Sequence, residues 1–184
     1  MTAKGDSKVR WGGACLPAVM LLSVAWLLRR ADRDYERLGR LSTRASLVAW
    51  VLYTLHAGLT LAASGNQRPR GPGVTSLLGV ALFVAAAREH RSLRQVSGLT
   101  AERLVRSGPY RFTRNPQIFG WGLALSGVAF RGHSPKALAL VAAFVVAHRV
   151  YAPVEERHLE RTFGAEYRRY RAEVPRFLGL PGAG

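Results

Sequence analysis

The separation of charged from apolar residues along the chain is the feature that most constrains its fold. Residues 45–64 form a stretch of 20 residues without Asp, Glu, Lys or Arg. That is long enough for a helix to cross a bilayer, because about 20 apolar residues span its hydrocarbon core. Four more apolar runs lie at residues 11–28, 74–87, 117–130 and 137–147. The pattern predicts an all-α, polytopic membrane protein with about five transmembrane helices and an amphipathic C-terminal helix.

The first and third runs allow other interpretations. Ser23, Val24 and Ala25 form a small-x-small triplet, which is also found at the cleavage sites of signal peptides. The triplet lies inside the run and no polar domain follows it, so a transmembrane helix is the favoured interpretation. The third run has only 14 residues before Arg88, and an arginine that extends its charge to the interface can lengthen such a span. We predict one membrane domain over residues 1–184, with N-terminal helices and loops in 1–73 and a catalytic core in 74–184.

The distribution of basic residues predicts an orientation in the membrane. The formal net charge is +16, and 27 residues are Lys or Arg. Binding to nucleic acid would also explain such a charge, but the charge-free apolar runs favour a membrane protein and no nucleic-acid partner. The loop 29–44, the segment 88–116 and the tail from Arg149 hold 20 basic residues, and the opposite side holds 7. The positive-inside rule places the richer side in the cytoplasm of a cell inner or plasma membrane.

The segment 104–120, LVRSGPYRFTRNPQIFG, is the first candidate binding site. Asn115 and Pro116 are residues that favour a helix start, as N-cap and as first helical residue. The exposed N–H groups at such a start attract a carboxylate or a phosphate. The alternative is that Asn115 only caps the helix and that Arg106, Arg111 and Arg114 contact lipid headgroups.

The tail, residues 154–177, is the second candidate segment. Its apolar residues recur at helical spacing, so the helix either lies on the membrane surface or packs over a cytoplasmic site. Glu155 and Glu156 stand just after an apolar helix in a strongly basic chain. They either form salt bridges with Arg149 and Arg157 or supply a carboxylate that binds ribose hydroxyls or an ammonium group. His56, inside an apolar run, is either a functional residue or, as we favour, a neutral imidazole that hydrogen-bonds a neighbouring helix.

The two segments together resemble a known family. GPYRFTRNPQIFGWGLAL is followed by EERHLERTFGAEYRRYRAEVPRFL, and this pair is similar to the motifs of integral-membrane isoprenylcysteine carboxyl methyltransferases and phospholipid methyltransferases. The resemblance covers roughly residues 93–178. It implies a methyltransferase that uses S-adenosyl-L-methionine as methyl donor and holds it in a membrane-embedded pocket. The methyl acceptor would be lipophilic, methylated on a carboxylate oxygen or an amine nitrogen, and membrane lipids would be partners.

The resemblance also implies site residues. The predicted catalytic residues are Arg114, Tyr151 and Glu156, and no metal site is expected. The predicted cofactor-binding residues are Gln95, Leu104, Val105, Tyr110, Asn115, Pro116, Gln117, Ile118 and Glu155.

The sequence departs from the family pattern at three positions. Asn115 stands where the family has histidine, which excludes a histidine base at that position because an amide does not titrate near neutral pH. Ile118 replaces an aromatic residue, and Tyr151 stands where isoprenylcysteine enzymes have an arginine near the substrate carboxylate. Two alternatives stay open: an NADPH-dependent reductase of lipid double bonds, and a non-catalytic membrane protein that retains the fold.

Overall fold

A computed structural model of the chain describes residues 12–65, 73–90, 92–100 and 102–177. The predicted polar N-terminus, residues 1–10, and most of the predicted loop 65–73 lie outside the described residues. Within them every regular element is helical, which confirms the predicted all-α class. The helices are α1 Gly12–Leu38, α2 Thr43–Ala63, α3 Val74–Arg88, α4 Leu93–Val96, α5 Pro116–Arg131 and α6 Pro135–Glu173, with a 3₁₀ turn at Gly108–Arg111.

Two helices, α2 and α6, are long and apolar enough to cross a membrane, while α3 is apolar but shorter. In α6 residues 137–154 are apolar apart from a few polar residues such as His148 and Arg149, and charged residues become frequent from Glu155 onward. Large apolar side chains such as Val51, Leu78 and Val145 are exposed on the outside of the bundle. This distribution is typical of helices that face lipid, where no water has to be excluded from the apolar surface. Five spans remain a prediction, since α1, α3 and α5 do not meet the same criterion.

The predicted charged loop 29–44 is mostly helical, so that prediction was wrong in its bounds. Helix α1 continues to Leu38, and the connection to α2 is short. Arg30 Nε bonds Asp34 Oδ1 at 2.9 Å one turn along the helix, which stabilises this polar extension. Asp34 also accepts hydrogen bonds from the backbone N–H and the hydroxyl of Ser42, the N-cap residue of α2. Asp34 thereby fixes the turn between the two helices.

Helix α6 continues through His148 and Arg149, which interrupt its apolar pattern but not the helix. Helix α6 runs without interruption from Pro135 to Glu173, except for a kink at Gly164 (φ 53°, ψ −122°). Polar residues do not end a helix when their side chains find partners: the ring of His148 bonds Tyr53 of α2 and Phe144 one turn earlier. The amphipathic tail is therefore formed by the second half of α6, which bends at Gly164, and by the few residues that follow it.

Helices α3 and α5 pack most closely, through glycines that face each other. A Cβ atom added at Gly120 would lie 2.7 Å from the backbone N of Phe83 and 2.8 Å from Gly79 O. One added at Gly127 would lie 2.7 Å from the backbone N of Ser76. The Ser76 hydroxyl donates to Ala124 O at 3.1 Å. The small residues of α5 thus allow its close approach to α3, and α5 is joined to α6 by the short turn at residues 132–134.

The three segments rich in arginine lie at the same end of the bundle. Arg157 of α6 bonds Asp32 of α1 at 3.0 Å, and Leu41 N donates to Gly98 O at 2.8 Å. At the other end, the Ser134 hydroxyl donates to Ala63 O at 2.6 Å. We call the first end, formed by residues 29–44, 88–115 and 155–177, the charged end. Its location on the cytoplasmic side remains a prediction.

Candidate active site

A cavity of about 740 Å³ lies between the apolar half of the bundle and the charged end. This volume is within the range of about 300–1,000 Å³ that is usual for small-molecule sites. Helices α1, α2, α3, α5 and α6 contribute to its wall, together with the segment between α3 and α5. Eleven of the twelve predicted site residues line it: Gln95, Leu104, Val105, Tyr110, Arg114, Asn115, Gln117, Ile118, Tyr151, Glu155 and Glu156. The twelfth, Pro116, is fully buried and is the first residue of α5 rather than part of the cavity wall.

The second half of α6 packs over the segment 104–120. The Tyr170 hydroxyl donates to Tyr110 O at 2.8 Å, and Arg114 N donates to Pro175 O at 2.9 Å. Leu104 packs against the buried cluster of Tyr167, Tyr170 and Val174. Of the two predicted positions for the amphipathic helix, the structure therefore has the one over the site. The apolar face of this half of α6 is therefore buried against the segment 104–120 instead of facing lipid.

The segment between α3 and α5 is fixed by side-chain hydrogen bonds to its backbone. Gln95 is buried, and its Nε2 donates to Arg103 O at 2.9 Å. The Tyr110 hydroxyl is 2.9 Å from His90 Nε2. Burial raises the pKa of Tyr110 well above its ordinary value, with a further contribution from the charge of Glu155. Tyr110 is therefore a neutral hydroxyl in the cavity wall.

Glu156 is the centre of a buried ion-pair network. Arg176 Nε and Nη2 donate to its two carboxylate oxygens at 2.9 and 2.7 Å, and Arg114 Nη2 lies 3.2 Å from Oε1. The side chains of Glu156 and Arg114 are 8% and 4% exposed. Hydrogen bonds to Glu156 raise the pKa of Arg176. The predicted salt bridges to Arg149 and Arg157 are therefore not the ones that this glutamate forms.

Asn115 stands before α5 as predicted, but its side chain does not cap the helix. Its Nδ2 donates to Arg176 O at 2.9 Å instead. The Thr113 hydroxyl donates to the same carbonyl at 3.1 Å. The predicted capping role of the Asn115 side chain was therefore wrong. The chain after α6 crosses the start of α5 and presents the carbonyl oxygen of Arg176, and the Asn115 amide donates a hydrogen bond to that oxygen. An amide supplies that donor without carrying a charge.

Glu155 differs from its neighbour in having no ion-pair or hydrogen-bond partner among the described residues. Its side chain lines the cavity, just beyond the apolar part of α6. Burial, and secondarily repulsion by Glu156, raise the pKa of Glu155 to about 7. An unpaired carboxylate in a cavity wall costs free energy unless a ligand compensates it, and perturbed groups of this kind are concentrated at functional sites.

Several buried polar atoms on the same wall have no hydrogen-bond partner within the described part of the chain. They are Gln117 Nε2, Arg114 Nε and Nη1, and the Tyr167 hydroxyl. Such atoms are rare in folded proteins unless a ligand or water satisfies them. A ligand with both an anionic and a cationic group would match these donors together with Glu155. S-adenosyl-L-methionine has a carboxylate, an ammonium group and ribose hydroxyls, so the residues present fit it.

The sequence-based site omitted a cluster of aromatic and histidine side chains on the membrane side of the cavity. Tyr35, Tyr53, His56 and His148 all line it. The Tyr35 and Tyr151 hydroxyls are 2.9 Å apart. His56 Nε2 is 2.9 Å from Leu140 O, which confirms the expected hydrogen bond to a neighbouring helix. The only signal in the sequence is the presence of hydrogen-bonding residues inside apolar runs, and that signal does not show which of them face each other.

Comparison with known proteins gives one match. Neither the curated proteins nor the solved structures returned a significant match. The sequence model described as phospholipid methyltransferase matches residues 73–166. This region is more than half of the chain and begins just before α3. It contains both the segment that leads into α5 and the Glu155–Glu156 pair. The proteins of this family are methyltransferases integral to membranes, and the chain belongs to the phospholipid methyltransferase family.

Proposed function

We propose that this protein is an S-adenosyl-L-methionine-dependent methyltransferase that acts on a lipophilic acceptor from the bilayer. The observation that carries the proposal is the unpaired carboxylate of Glu155 in a cavity whose wall also holds unpaired donors. Family membership supports methyl transfer as the reaction class.

The chain's own residues have distinct roles in this proposal. Glu155 binds the ammonium group or the ribose hydroxyls of the cofactor, while Arg114, Gln117 and the Tyr167 hydroxyl donate to its carboxylate and other oxygens. The bound cofactor supplies an activated methyl group on a sulfonium. Gln95 and Asn115 hold the backbone of the cofactor-binding segment through Arg103 O and Arg176 O. Catalysis then consists mainly of positioning, which in favourable cases is worth about 7–11 kcal/mol.

The acceptor enters from the apolar side of the cavity. There the wall consists of side chains from α1, α2 and the apolar half of α6, including Leu27, Leu52 and Phe144. Such a surface binds an aliphatic chain through burial of apolar area. We propose that the charged end, with Glu155, faces the cytoplasm, where the cofactor is available.

The reductase alternative is not favoured. In the sequence, this alternative was supported by the many arginines that could bind the phosphate of a nucleotide. Among the described residues, the arginines that line the cavity are Arg103 and Arg114. Arg103 Nη2 donates to Glu89 O at 2.7 Å, and Arg114 pairs with Glu156 through Nη2, so that Nε and Nη1 of one guanidinium are left for an anion. Arginines elsewhere on the charged end form salt bridges on the protein surface, such as Arg106 with Glu166.

The binding of S-adenosylhomocysteine to purified protein in nanodiscs tests the proposal. Glu155→Gln removes the negative charge and keeps the shape, so we expect at least about a tenfold loss of affinity, corresponding to a lost charged hydrogen bond of about 1.5–3 kcal/mol. Glu166→Gln is the matched control, because Glu166 is exposed on the same helix and pairs only with Arg106 at 3.8 Å. If the two variants bind S-adenosylhomocysteine with equal affinity, Glu155 is not part of the binding site.

Transfer of labelled methyl from S-adenosyl-L-methionine into a total membrane lipid extract tests the reaction itself. We expect a labelled lipophilic product with wild-type protein and a strongly reduced amount with Glu155→Gln. Heat protection of wild-type protein by NADPH and not by S-adenosylhomocysteine would instead support the reductase.

A further inference from the structure

The acidic side chains in the polar half of α1 are all engaged by other parts of the fold. Asp32 and Glu36 pair with Arg157 and Arg161 of α6, at 3.0 and 3.7 Å. Asp34 is 3% exposed and accepts hydrogen bonds in the turn between α1 and α2. The charges of this stretch are mixed in sign along the sequence, but the fold directs its carboxylates away from the outer face of α1.

The arginines of the same stretch are left on the outside. Five of them are exposed and form no salt bridge within the described part of the chain: Arg29, Arg33, Arg37, Arg40 and Arg44. Positive charges this close together repel one another, and an anion bound among them relieves that repulsion. Groups of four to eight basic residues that follow directly on an apolar helix are typical of surfaces that bind anionic lipid.

An open groove of about 370 Å³ lies between α1 and α2 on the outside of the bundle. Its wall consists of Leu22, Ser23 and Trp26 of α1 and Val48 of α2. The groove shares none of these residues with the main cavity. Leu22 is 71% exposed and Trp26 is 42% exposed, so the groove opens toward lipid. Because its wall is apolar apart from one hydroxyl, an acyl chain is the occupant that matches it.

The groove leads directly to two of the arginines. Arg33 follows Trp26 by two helical turns, so the two side chains point in directions that differ by about 20° and lie about 10 Å apart along the axis. The hydrogen bonds of Asp34 with Ser42 hold the start of α2 beside this part of α1. Since the two helices run in opposite directions, Arg44 lies nearly level with Arg33. One guanidinium from each helix therefore stands at the charged end of the groove.

We propose that this groove binds one anionic phospholipid of the surrounding membrane, with an acyl chain along Leu22, Trp26 and Val48 and the phosphate between Arg33 and Arg44. A lipid fits better than a soluble anion, because the cationic pair continues into an apolar groove that a soluble anion would leave empty. Tryptophan is also enriched at the level of lipid headgroups. Helices α1 and α2 both precede the region that the family model matches, so the match does not supply this site.

The bound lipid would support the wall of the main cavity. The inner faces of the same two helices line that cavity, through residues such as Leu27 and Leu52. A lipid that contacts both helices from outside binds only the folded arrangement and therefore stabilises it. The lipid site is distinct from the cavity proposed for methyl transfer, and the inference does not depend on that reaction.

Quenching of Trp26 fluorescence by brominated lipid tests the site, because bromine atoms on an acyl chain quench a tryptophan that they contact. Protein in detergent is titrated with dibrominated phosphatidylglycerol or with phosphatidylcholine that has the same chains. The difference between wild-type protein and Trp26→Phe gives the signal of Trp26. We expect this signal to saturate, and to do so at about tenfold lower concentration of phosphatidylglycerol, since each arginine near an anionic headgroup contributes about fivefold. Equal concentrations for the two lipids overturn the proposal.

Variants then assign the preference to the two arginines. Arg33→Gln combined with Arg44→Gln should remove most of the preference for phosphatidylglycerol. Arg168→Gln combined with Arg169→Gln is the matched control, because it removes two exposed arginines at the same end of the bundle but on α6. An equal preference in the two double variants overturns the assignment. If the first double variant does not elute as a monodisperse protein, the salt series on wild-type protein decides.

Salt and soluble anions identify the occupant. Raising the concentration of NaCl from about 50 mM to about 500 mM should reduce the preference severalfold, because salt screens attraction between exposed charges. A preference that does not change with salt overturns the proposed role of the arginines. Inorganic phosphate and a poly-glutamate peptide, each compared with NaCl of equal ionic strength, should not displace the lipid. Displacement by either one overturns a lipid as the occupant of the site.

Discussion

Glu155 and Glu156 are adjacent in the sequence and have opposite surroundings in the fold. Consecutive helical residues point about 100° apart, so one carboxylate meets two arginines and the other meets the open cavity. Glu156 is neutralised by Arg114 and Arg176, whereas Glu155 has no such partner. The resemblance assigned both to one site, and the contacts of the two residues distinguish a structural role from a binding role.

The raised pKa of Glu155 predicts how cofactor binding depends on pH. Because burial and Glu156 raise it to about 7, Glu155 in the free protein is mostly protonated near pH 6 and mostly ionised near pH 8. A cationic ammonium group binds only the ionised form. We expect S-adenosylhomocysteine to bind about tenfold more weakly at about pH 6 than at about pH 8, and calorimetric titration measures this. Glu155→Gln should bind weakly at both pH values, and an unchanged pH dependence in this variant would contradict the assignment.

The buried network around Glu156 predicts a large effect on stability. Glu156→Ala leaves the buried guanidinium of Arg114 without its counter-charge, and breaking such a pair typically costs about 3–5 kcal/mol. Glu160→Ala is the control: Glu160 pairs with Arg171 at 2.9 Å near the surface, and an exposed pair contributes about 0–1 kcal/mol. Chemical unfolding in detergent measures both. Similar stability of the two variants would show that Glu156 is not required for the fold.

Among the helices, the pairing of α3 with α5 holds in place the segment 89–115, to which we assign part of the proposed cofactor site. This segment connects the two helices, so their separation sets the distance between its ends. The backbones approach because Gly79, Gly120 and Gly127 have no Cβ atoms. In a membrane such approach increases van der Waals contact, which there replaces the hydrophobic effect as the driving force.

A methyl group at the crossing should therefore disturb the bundle. The Cβ atom of Gly79→Ala would lie 2.6 Å from Gly120 O, and overpacking of this kind costs about 1–3 kcal/mol. We expect a lower midpoint of thermal unfolding and weaker binding of S-adenosylhomocysteine. Gly58→Ala is the control, since a Cβ atom there has no other atom within 4 Å and alanine favours the helix by up to about 1 kcal/mol. An equal response of both variants would contradict the packing argument.

At the scale of the whole molecule, the chain sorts into an apolar body and one charged end. The cavity lies between the two, so in the proposed function a charged ligand and a lipophilic ligand would reach it from different sides. The predicted orientation follows from the excess of arginine at the charged end. It would place the ligand that carries charge in the cytoplasm and the lipophilic one in the bilayer.

Labelling of single cysteines tests that orientation. In a Cys15→Ser background, Arg169→Cys at the charged end should react with a membrane-impermeant maleimide only after cells are permeabilised. Lys136→Cys at the opposite end should react in intact cells. Lys136 and Arg169 both have exposed side chains. A difference in labelling therefore shows on which side of the membrane each residue lies and not whether it is buried. The reverse pattern would place the charged end outside.

The helical class, and the two segments that meet at the cavity, could be predicted from the amino-acid sequence alone. Hydrophobic runs have the length of the helices they form, and the motifs around Asn115 and Glu155 keep a fixed order and spacing. Eleven predicted residues accordingly line one cavity. The start of α5 was also predictable, because Pro116 favours the first helical position.

Which side chains form hydrogen bonds or ion pairs with other helices, and which face the cavity, could be seen in the three-dimensional fold alone. Asn115 turned from a cap into a donor to Arg176 O because the chain after α6 crosses it 61 residues later. His56 and the Tyr53–His148 pair share the cavity because α2 packs against α6 at one particular rotation. An apolar run that faces lipid on one side has little amphipathic pattern to fix that rotation. Contacts between distant helices fix it instead.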